Sequence, residues 1–240
     1  MEIDFLKRIV KEAEQISHQD YTVKAKGNEG DLVTNLDIEI EKYLISQIKE
    51  HYPDFDIVSE EFNTDNKVTD NCFIIDPIDG TVNFANGLPL WGIQIACRKN
   101  GQTIASVIDL PKLGEFYHAD ESGAYLNNKK ITVHEVPLKN TIYSIISRDS
   151  VLGTLRMHEY SPYHRNLGAA CAAFAFMASG RIHGVNFRTN RPWDYEPGLF
   201  ICKMAGAKIK TSEGFHAVAM NQEFLDILEK ETALEIDNGR

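Results

Sequence analysis

Two acidic residues three positions apart, at the end of an apolar run, carry the sharpest chemical signal in the sequence. The string is Phe73-Ile-Ile-Asp76-Pro-Ile-Asp79-Gly80-Thr81-Val-Asn83-Phe84. Carboxylates at the end of a strand offer hard oxygen donors, which suit cations such as Mg2+. Gly80 and Thr81 then open what reads as a short helix, and the free N–H groups of a helix start attract phosphate. One turn can therefore hold metal ions and a phosphate side by side, as two-metal phosphoryl chemistry requires. Asp-Pro and Asp-Gly are also ordinary turn pairs, so either pair alone decides nothing.

Three further segments have a chemical reading and a plain one. Asp31-Leu-Val-Thr34-Asn-Leu-Asp37 has the spacing of a capping box at a helix start. Ser59-Glu60-Glu61 follows the run FDIVS, and paired glutamates at a strand end are commonly solvated surface. In Pro192-Trp193-Asp194-Tyr195-Glu196-Pro197, Asp194 reads as a helix N-cap with Pro197 in the first turn.

The elements that must position these residues follow from periodicity. Leu6, Ile9, Val10, Ala13 and Ile16 place an amphipathic helix over 2–17. The stretch KAKGNEGD reads as a loop. A second helix runs from about Asn35 to His51, with Leu36, Ile40, Tyr43, Leu44 and Ile48 on one face and Pro53 as its stop. Strand-like runs follow at 55–59, 72–76, 91–98, 103–109 and 115–119, punctuated as in an antiparallel meander, with a hairpin over 123–133 turning at Asn127-Asn128. After Pro137 a strand, TIYSIIS, precedes an irregular segment up to His164. LGAACAAFAFMAS at 167–179 is apolar or small almost throughout and reads as a buried helix closed by Gly180. The remainder reads as strand HGVNF, a helix starting near Asp194, strands AKIK and HAVAM, and a final helix over 221–234. This order predicts an α+β half over 1–134, which carries the Asp76–Thr81 string, joined to an α/β half over 135–240, which carries Asp194.

Composition narrows the partners. The 240 residues carry 25 Lys and Arg against 35 Asp and Glu, a net charge of −10. Such a chain repels polyphosphates and anionic membrane surfaces, so nucleic-acid polymers and membranes are not expected partners. A small phosphate ester remains possible where bound cations invert the local sign. No apolar run approaches the ~20 residues of a membrane span, and the N-terminus lacks the apolar stretch of a signal peptide. Cys72, Cys97, Cys171 and Cys202 form no CxxC pair, so a zinc or dithiol site is not indicated and a reducing, cytoplasmic compartment is expected. The eight histidines show no HxxxH spacing, no GxSxG elbow is present, and GNEGD lacks the Lys-Ser/Thr ending of a P-loop.

Taken together, DLVTNLD, IVSEE, FIIDPIDGTVNF, RNLGAACAA and WDYEPG resemble, in order and spacing, the inositol monophosphatase family of metal-dependent, lithium-sensitive sugar phosphatases. The resemblance runs from the first helix to about residue 219. It implies an α/β fold, the layered α-β-α-β-α sandwich shared with fructose-1,6-bisphosphatase. It implies two or three Mg2+ ions per site, with Mn2+ as a substitute, a cytoplasmic homodimer, and inhibition by Li+. By position, Glu60 corresponds to the first-metal glutamate, Asp76 to the bridging carboxylate with the Ile78 carbonyl, and Asp79 and Asp194 to the second-metal carboxylates. Gly80 and Thr81 would cradle phosphate through backbone N–H groups, with Lys26 nearby. Thr81 and Asp37 correspond to the pair that orients the attacking water, with Glu60 beside them. Arg165, Gly168 and Ala169 fall where substrate hydroxyls meet a helix start.

Three departures from the family pattern stand out, the first two bearing on the substrate and the third on the rim of the pocket or the dimer contact. Phe187 stands where members matched to inositol phosphate have a glutamate, Arg188 and Arg191 share its loop, and the segment 148–164 is short enough to trim a family helix. An aromatic face suits a flat base or the apolar face of a sugar, and guanidinium forks suit a second phosphate. Phe187 at the end of HGVNF can equally pack into the core. The expected activity is hydrolysis of a small phosphorylated polyol, sugar or nucleotide by metal-activated water. A bisphosphate-type phosphatase acting on fructose 1,6-bisphosphate, 3'-phosphoadenosine 5'-phosphate or NADP is the alternative. A phosphate-binding regulatory protein without catalysis is the competing class, and the complete acidic set speaks against it.

Overall fold

The computed structural model describes residues 2–26, 32–146 and 151–233. Asp31, most of the glycine loop before it, and residues 147–150 lie outside the described residues, as does the last residue of the expected C-terminal helix.

The chain opens with α1 (Glu2–Ile16), the short antiparallel ribbon β1 (Val23–Ala25) and β2 (Leu32–Thr34), and α2 (Asn35–His51). Then come β3 (Asp56–Ser59), β4 (Cys72–Asp79), the one-turn α3 (Thr81–Ala85), β5 (Gly92–Lys99), β6 (Gln102–Leu110), β7 (Glu115–Asp120), β8 (Gly123–Leu126) and β9 (Lys129–Ile131). β3 to β9 form one seven-stranded sheet in chain order. It is antiparallel except at its edge, where β3 and β4 run parallel, contrary to an all-antiparallel meander. The hairpin between β8 and β9 turns at Asn127 and Asn128 as expected, both at positive φ.

The second half holds β10 (Ile142–Ile146), α4 (Val151–Met157), β11 (Tyr163–His164), α5 (Ala170–Ala178), β12 (Gly184–Phe187), α6 (Pro192–Met204), β13 (Lys208–Ser212), β14 (Phe215–Ala219) and α7 (Gln222–Ala233). Its five strands are ordered β11-β10-β12-β14-β13. The segment read as irregular before His164 contains α4 and β11; polar interruptions hide so short a helix from periodicity. α6 begins at Pro192, two residues earlier than expected, so Asp194 is not the N-cap and Pro197 lies inside the helix. Pro at the first helical position lacks only an N–H that would have no intrahelical partner.

Strand alternation builds the layers. Phe73 and Ile75 of β4 face the apolar stripes of α1 and α2, joining Leu6, Ile9, Ile40 and Leu44 in one core. Cys72 and Ile74, pointing the other way, meet Trp193 of α6. On β12, Gly184 lies against Phe224 and Leu228 of α7, while Phe187 meets Phe174 of α5. α5 and α6 are thus sandwiched between the sheets, and the fold is the expected layered α-β-α-β-α arrangement. α5 carries almost no polar side chain, as a helix covered on both sides must. No helix among the described residues is long and apolar enough to cross a membrane.

Candidate active site

Two carboxylates three apart on a regular strand would point to opposite faces. Here the ladder between β4 and β5 shifts register between Asp76 and Asp79. Pro77, which cannot donate to a ladder, sits inside the irregularity. The bulge turns both side chains into one cavity of about 300 Å³. Gly80, at φ +85°, then reverses the chain into α3. A Cβ at this position would lie 2.8 Å from the Ala169 Cβ and 3.1 Å from the Leu90 carbonyl oxygen, so close approach as well as handedness demands glycine.

Every other wall comes from a different element. Glu60 projects from the turn after β3, Asp194 from the first turn of α6, Phe187 and Ile146 from the ends of β12 and β10, and Gly168, Ala169 and Ala170 from the start of α5. Lys26, Ile78, Thr81 and Arg191 complete the polar and backbone lining. α6 is held across the layers at three points. Trp193 is buried among Val58, Ile74 and Ala96, the Arg98 guanidinium pairs with Glu196 at 2.8 Å, and the Ser106 hydroxyl donates to the Pro197 carbonyl at 2.9 Å.

Most of the acidic side chains spend an oxygen on a protein donor. Asp79 Oδ2 accepts from the Cys171 N–H at the start of α5. Asp194 Oδ2 accepts from the Thr189 hydroxyl at 3.1 Å. Glu60 accepts from the Lys26 ammonium at 3.0 Å, which also reaches Glu61. Asp76 Oδ1, by contrast, is buried with no hydrogen-bond partner among the described residues. Burial and the charges of Glu60, Asp79 and Asp194 hold the Asp76 carboxyl well above the usual carboxylate range. Burial pushes Asp79 up to about 6 against the Cys171 hydrogen bonds, and burial with the Asp79 and Glu60 charges pushes Asp194 up to about 8.

The donor set fits a hard divalent cation. It is all oxygen, mutually repelling, and includes an orphaned buried carboxylate oxygen. As the side chains stand, no three His, Cys, Asp or Glu among the described residues converge tightly enough to grip one ion. Mg2+ keeps several waters and binds through one or two carboxylates plus substrate oxygens, and in the structure Lys26 is the counter-charge on Glu60.

Asp37 lies beneath this layer. Its Oδ2 accepts from the Thr34 N–H (2.8 Å) and hydroxyl (2.5 Å), so the capping box is real. Its Oδ1 lies 3.4 Å from the Thr81 hydroxyl, which also donates to the Ile78 carbonyl at 2.9 Å. Burial pushes the Asp37 carboxyl up to about 6, the Thr34 hydrogen bonds holding it back. One residue thus both completes the cap of α2 and touches Thr81, which lines the cavity.

The structure gathers Lys26, Glu60, Asp76, Ile78, Asp79, Gly80, Thr81, Gly168, Ala169, Phe187, Arg191 and Asp194 around one cavity, with Asp37 touching Thr81. Arg165 is exposed and donates to the His164 carbonyl, and Arg188 stacks over Phe215; neither lines the cavity. Phe187 is both a buried core residue and a cavity wall. Sequence reasoning gave no role to Asn83, Thr189 or Glu41. The Asn83 amide donates to the carbonyls of Leu90 (2.6 Å) and Leu167 (2.9 Å), tying α3 to the loop before α5. Glu41 had a legible signal: Asp37, Glu41, Leu44 and Ile48 follow helical spacing, which puts an acid on the buried face.

Buried acids around a glycine-threonine turn, carried by a layered sandwich, define a metal-dependent phosphoric monoester hydrolase. The sequence profile of the Inositol monophosphatase family matches residues 3–232. The chain belongs to the inositol monophosphatase family. It is 35% identical over 208 residues to the fructose-1,6-bisphosphatase/inositol-1-monophosphatase of Thermotoga maritima, covering 85% of this chain and 80% of that protein. It is 33% identical over 213 residues to the inositol-1-monophosphatase of Bacillus subtilis, covering 83% and 80%. Among solved structures, a Thermotoga maritima IMPase superposes with a TM-score of 0.89 at 28% identity, covering 99% of each chain.

Proposed function

We propose that the protein hydrolyses a small phosphorylated polyol or sugar with Mg2+ as the working ion. The observation that carries this reading is the orphaned Asp76 oxygen inside a cavity shared with Glu60, Asp79 and Asp194. In this reading those four carboxylates and the Ile78 carbonyl hold the cations, two or three of them. Bound there, the cations would lower the pKa of a water and offset charge on the ester. Gly80 and Thr81 receive the phosphate, and Lys26 moves from Glu60 toward it. The Thr81 hydroxyl passes a proton from the attacking water towards Asp37, whose oxygen lies 3.4 Å away.

The outer cavity receives the rest of the substrate. Phe187 and Ile146 offer apolar surface and Arg191 offers a guanidinium, while Gly168 and Ala169 present backbone to the hydroxyls. This wall suits a sugar carrying a second phosphate at least as well as inositol. The two activities named for the Thermotoga maritima relative support that breadth. Arg165 and Arg188 would contact only substrates that extend beyond the cavity. The division near residue 135 into a metal-binding half and an Asp194-bearing half is also our reading, supported by the change of sheet between β9 and β10. A cytoplasmic homodimer and inhibition by Li+ belong to the same proposal.

Phosphate release across inositol 1-phosphate, fructose 1,6-bisphosphate, 3'-phosphoadenosine 5'-phosphate and NADP, with Mg2+ and with EDTA, tests it. Activity should vanish in EDTA. Asp79→Asn should remove several kcal/mol of transition-state stabilisation, roughly a thousandfold in kcat, because an amide supplies no charge against the cation. Full turnover in excess EDTA would refute the reading.

A further inference from the structure

Asp37 and Glu41 stand one turn apart on α2, and both carboxylates are fully buried. Asp37 turns towards Thr34 and Thr81. Glu41 turns the other way and spends both oxygens on the turn after β3. Its Oε1 accepts from the Ser59 hydroxyl and from the Phe62 N–H at 2.8 Å, and its Oε2 accepts from the Glu61 N–H at 2.8 Å. These donors bracket Glu60, one residue before it and two after. The Glu60 carboxylate enters the cavity from a turn tied down on both sides.

Such a turn needs an acceptor-only group with two oxygens. A carboxylate meets three donors without conflict, whereas an amide would set its own N–H groups against one of them. A buried donor left without an acceptor is costly, so the turn would move to recover one. Burial of a charge next to the charge of Glu60 is itself unfavourable, and the three hydrogen bonds offset that in the folded chain.

We propose that Glu41 is a positioning residue: it pins the Ser59–Phe62 turn so that the Glu60 carboxylate stands at the depth where it can take a divalent cation. This rests on reading Glu60 as a cation ligand. A purely structural Glu41 would affect stability and leave cation affinity alone. A purely electrostatic Glu41 would act through its charge, whatever its reach. Aspartate separates these cases, since it keeps the charge but is one methylene too short to meet all three donors.

The test is Mg2+ binding to the substrate-free protein by titration calorimetry, alongside urea midpoints and steady-state kinetics. The variants are Glu41→Gln, Glu41→Asp, Ser59→Ala and Glu60→Gln. Groups that orient a metal ligand typically change metal affinity about 10–100-fold. Glu41→Gln and Glu41→Asp should both weaken Mg2+ binding at least about tenfold, with kcat at saturating Mg2+ within about threefold of wild type. Ser59→Ala, which removes one donor and leaves the Glu41 charge in place, should weaken it about threefold and serves if the Glu41 variants do not fold. Wild-type Mg2+ affinity in Glu41→Asp, or in Ser59→Ala, while Glu60→Gln binds weakly, overturns the positioning role alone. Wild-type affinity in Glu60→Gln overturns the Glu60 reading, and the inference with it.

Discussion

The Thr81 hydroxyl has two acceptors within reach, the Ile78 carbonyl at 2.9 Å and Asp37 Oδ1 at 3.4 Å, and only one proton to give. Its role is separable from binding, because phosphate would still meet the backbone N–H groups at Gly80 and Thr81. Thr81→Ala should therefore lower kcat by about 10²–10⁴-fold, the usual range for a lost general acid–base group, with KM within about threefold. Steady-state kinetics at saturating Mg2+ decide it. A tenfold rise in KM with kcat intact would make Thr81 a binding residue. Asp37 shows why single-residue readings can mislead: cap and site are one side chain using different oxygens.

Gly80 joins β4 to α3 beside Ala169, the residue that precedes α5. An L-residue held at φ +85° costs about 1–2 kcal/mol before any contact is counted, and the 2.8 Å approach to Ala169 adds to it. Gly80→Ala should lower stability by at least that amount in urea unfolding and also lower kcat, since α5 must shift. An unchanged midpoint would contradict the close packing of Gly80 against Ala169 and Leu90. At another junction, Lys11 of α1 reaches the fully buried Asp109 of β6 at 3.2 Å. Burial pushes the Asp109 carboxyl up to about 7, and the Lys11 ammonium only partly offsets it. Between pH ~4 and ~7 the unfolded chain has already lost this proton while the folded chain keeps it, so the group's contribution to stability falls as pH rises. Asp109→Asn should gain on wild type across that window and hold a constant difference above it. Urea midpoints from pH 4.5 to 8 measure the trend; a gap that shrinks with rising pH would contradict the assignment.

Across the whole molecule, both sheets and the helices between them contribute to one small acidic cavity. The fold therefore holds like charges together at a cost, and a divalent cation bound there, as proposed, would relieve it. Any ligand that binds only the folded state stabilises it by mass action, about 2.7 kcal/mol at one hundred times Kd. For a chain of this size that corresponds to a rise in Tm on the order of 5–10 °C. Calorimetric scans with Mg2+ and with EDTA should show such a shift in wild type and a much smaller one in Asp79→Asn. Equal shifts in both would place the bound ion elsewhere.

Much of this was legible in the chain itself. The bounds of α2 follow from an apolar stripe, a Thr34–Asp37 cap and Pro53, all local signals. The β8–β9 turn follows from Asn127-Asn128, because asparagine tolerates positive φ. The acidic residues are singled out by the resemblance that four strings share in order and spacing with the inositol monophosphatase family; taken singly, three of those strings read as a helix cap, solvated glutamates and an N-cap. What the sequence could not supply is which protein donors each acid meets. That depends on donors distant in the chain, such as Cys171 for Asp79 and Thr189 for Asp194. The bulge that aims Asp76 and Asp79 into one cavity arises from pairing with β5, and the start of α6 from anchoring Trp193 in the opposite layer. Glu41 is the clearest case. A glutamate on a helix carries no local mark of purpose beyond its place on the apolar face. Only tertiary structure sets it beneath the turn that carries Glu60, because hydrogen-bond partners are chosen by proximity in space and not along the chain.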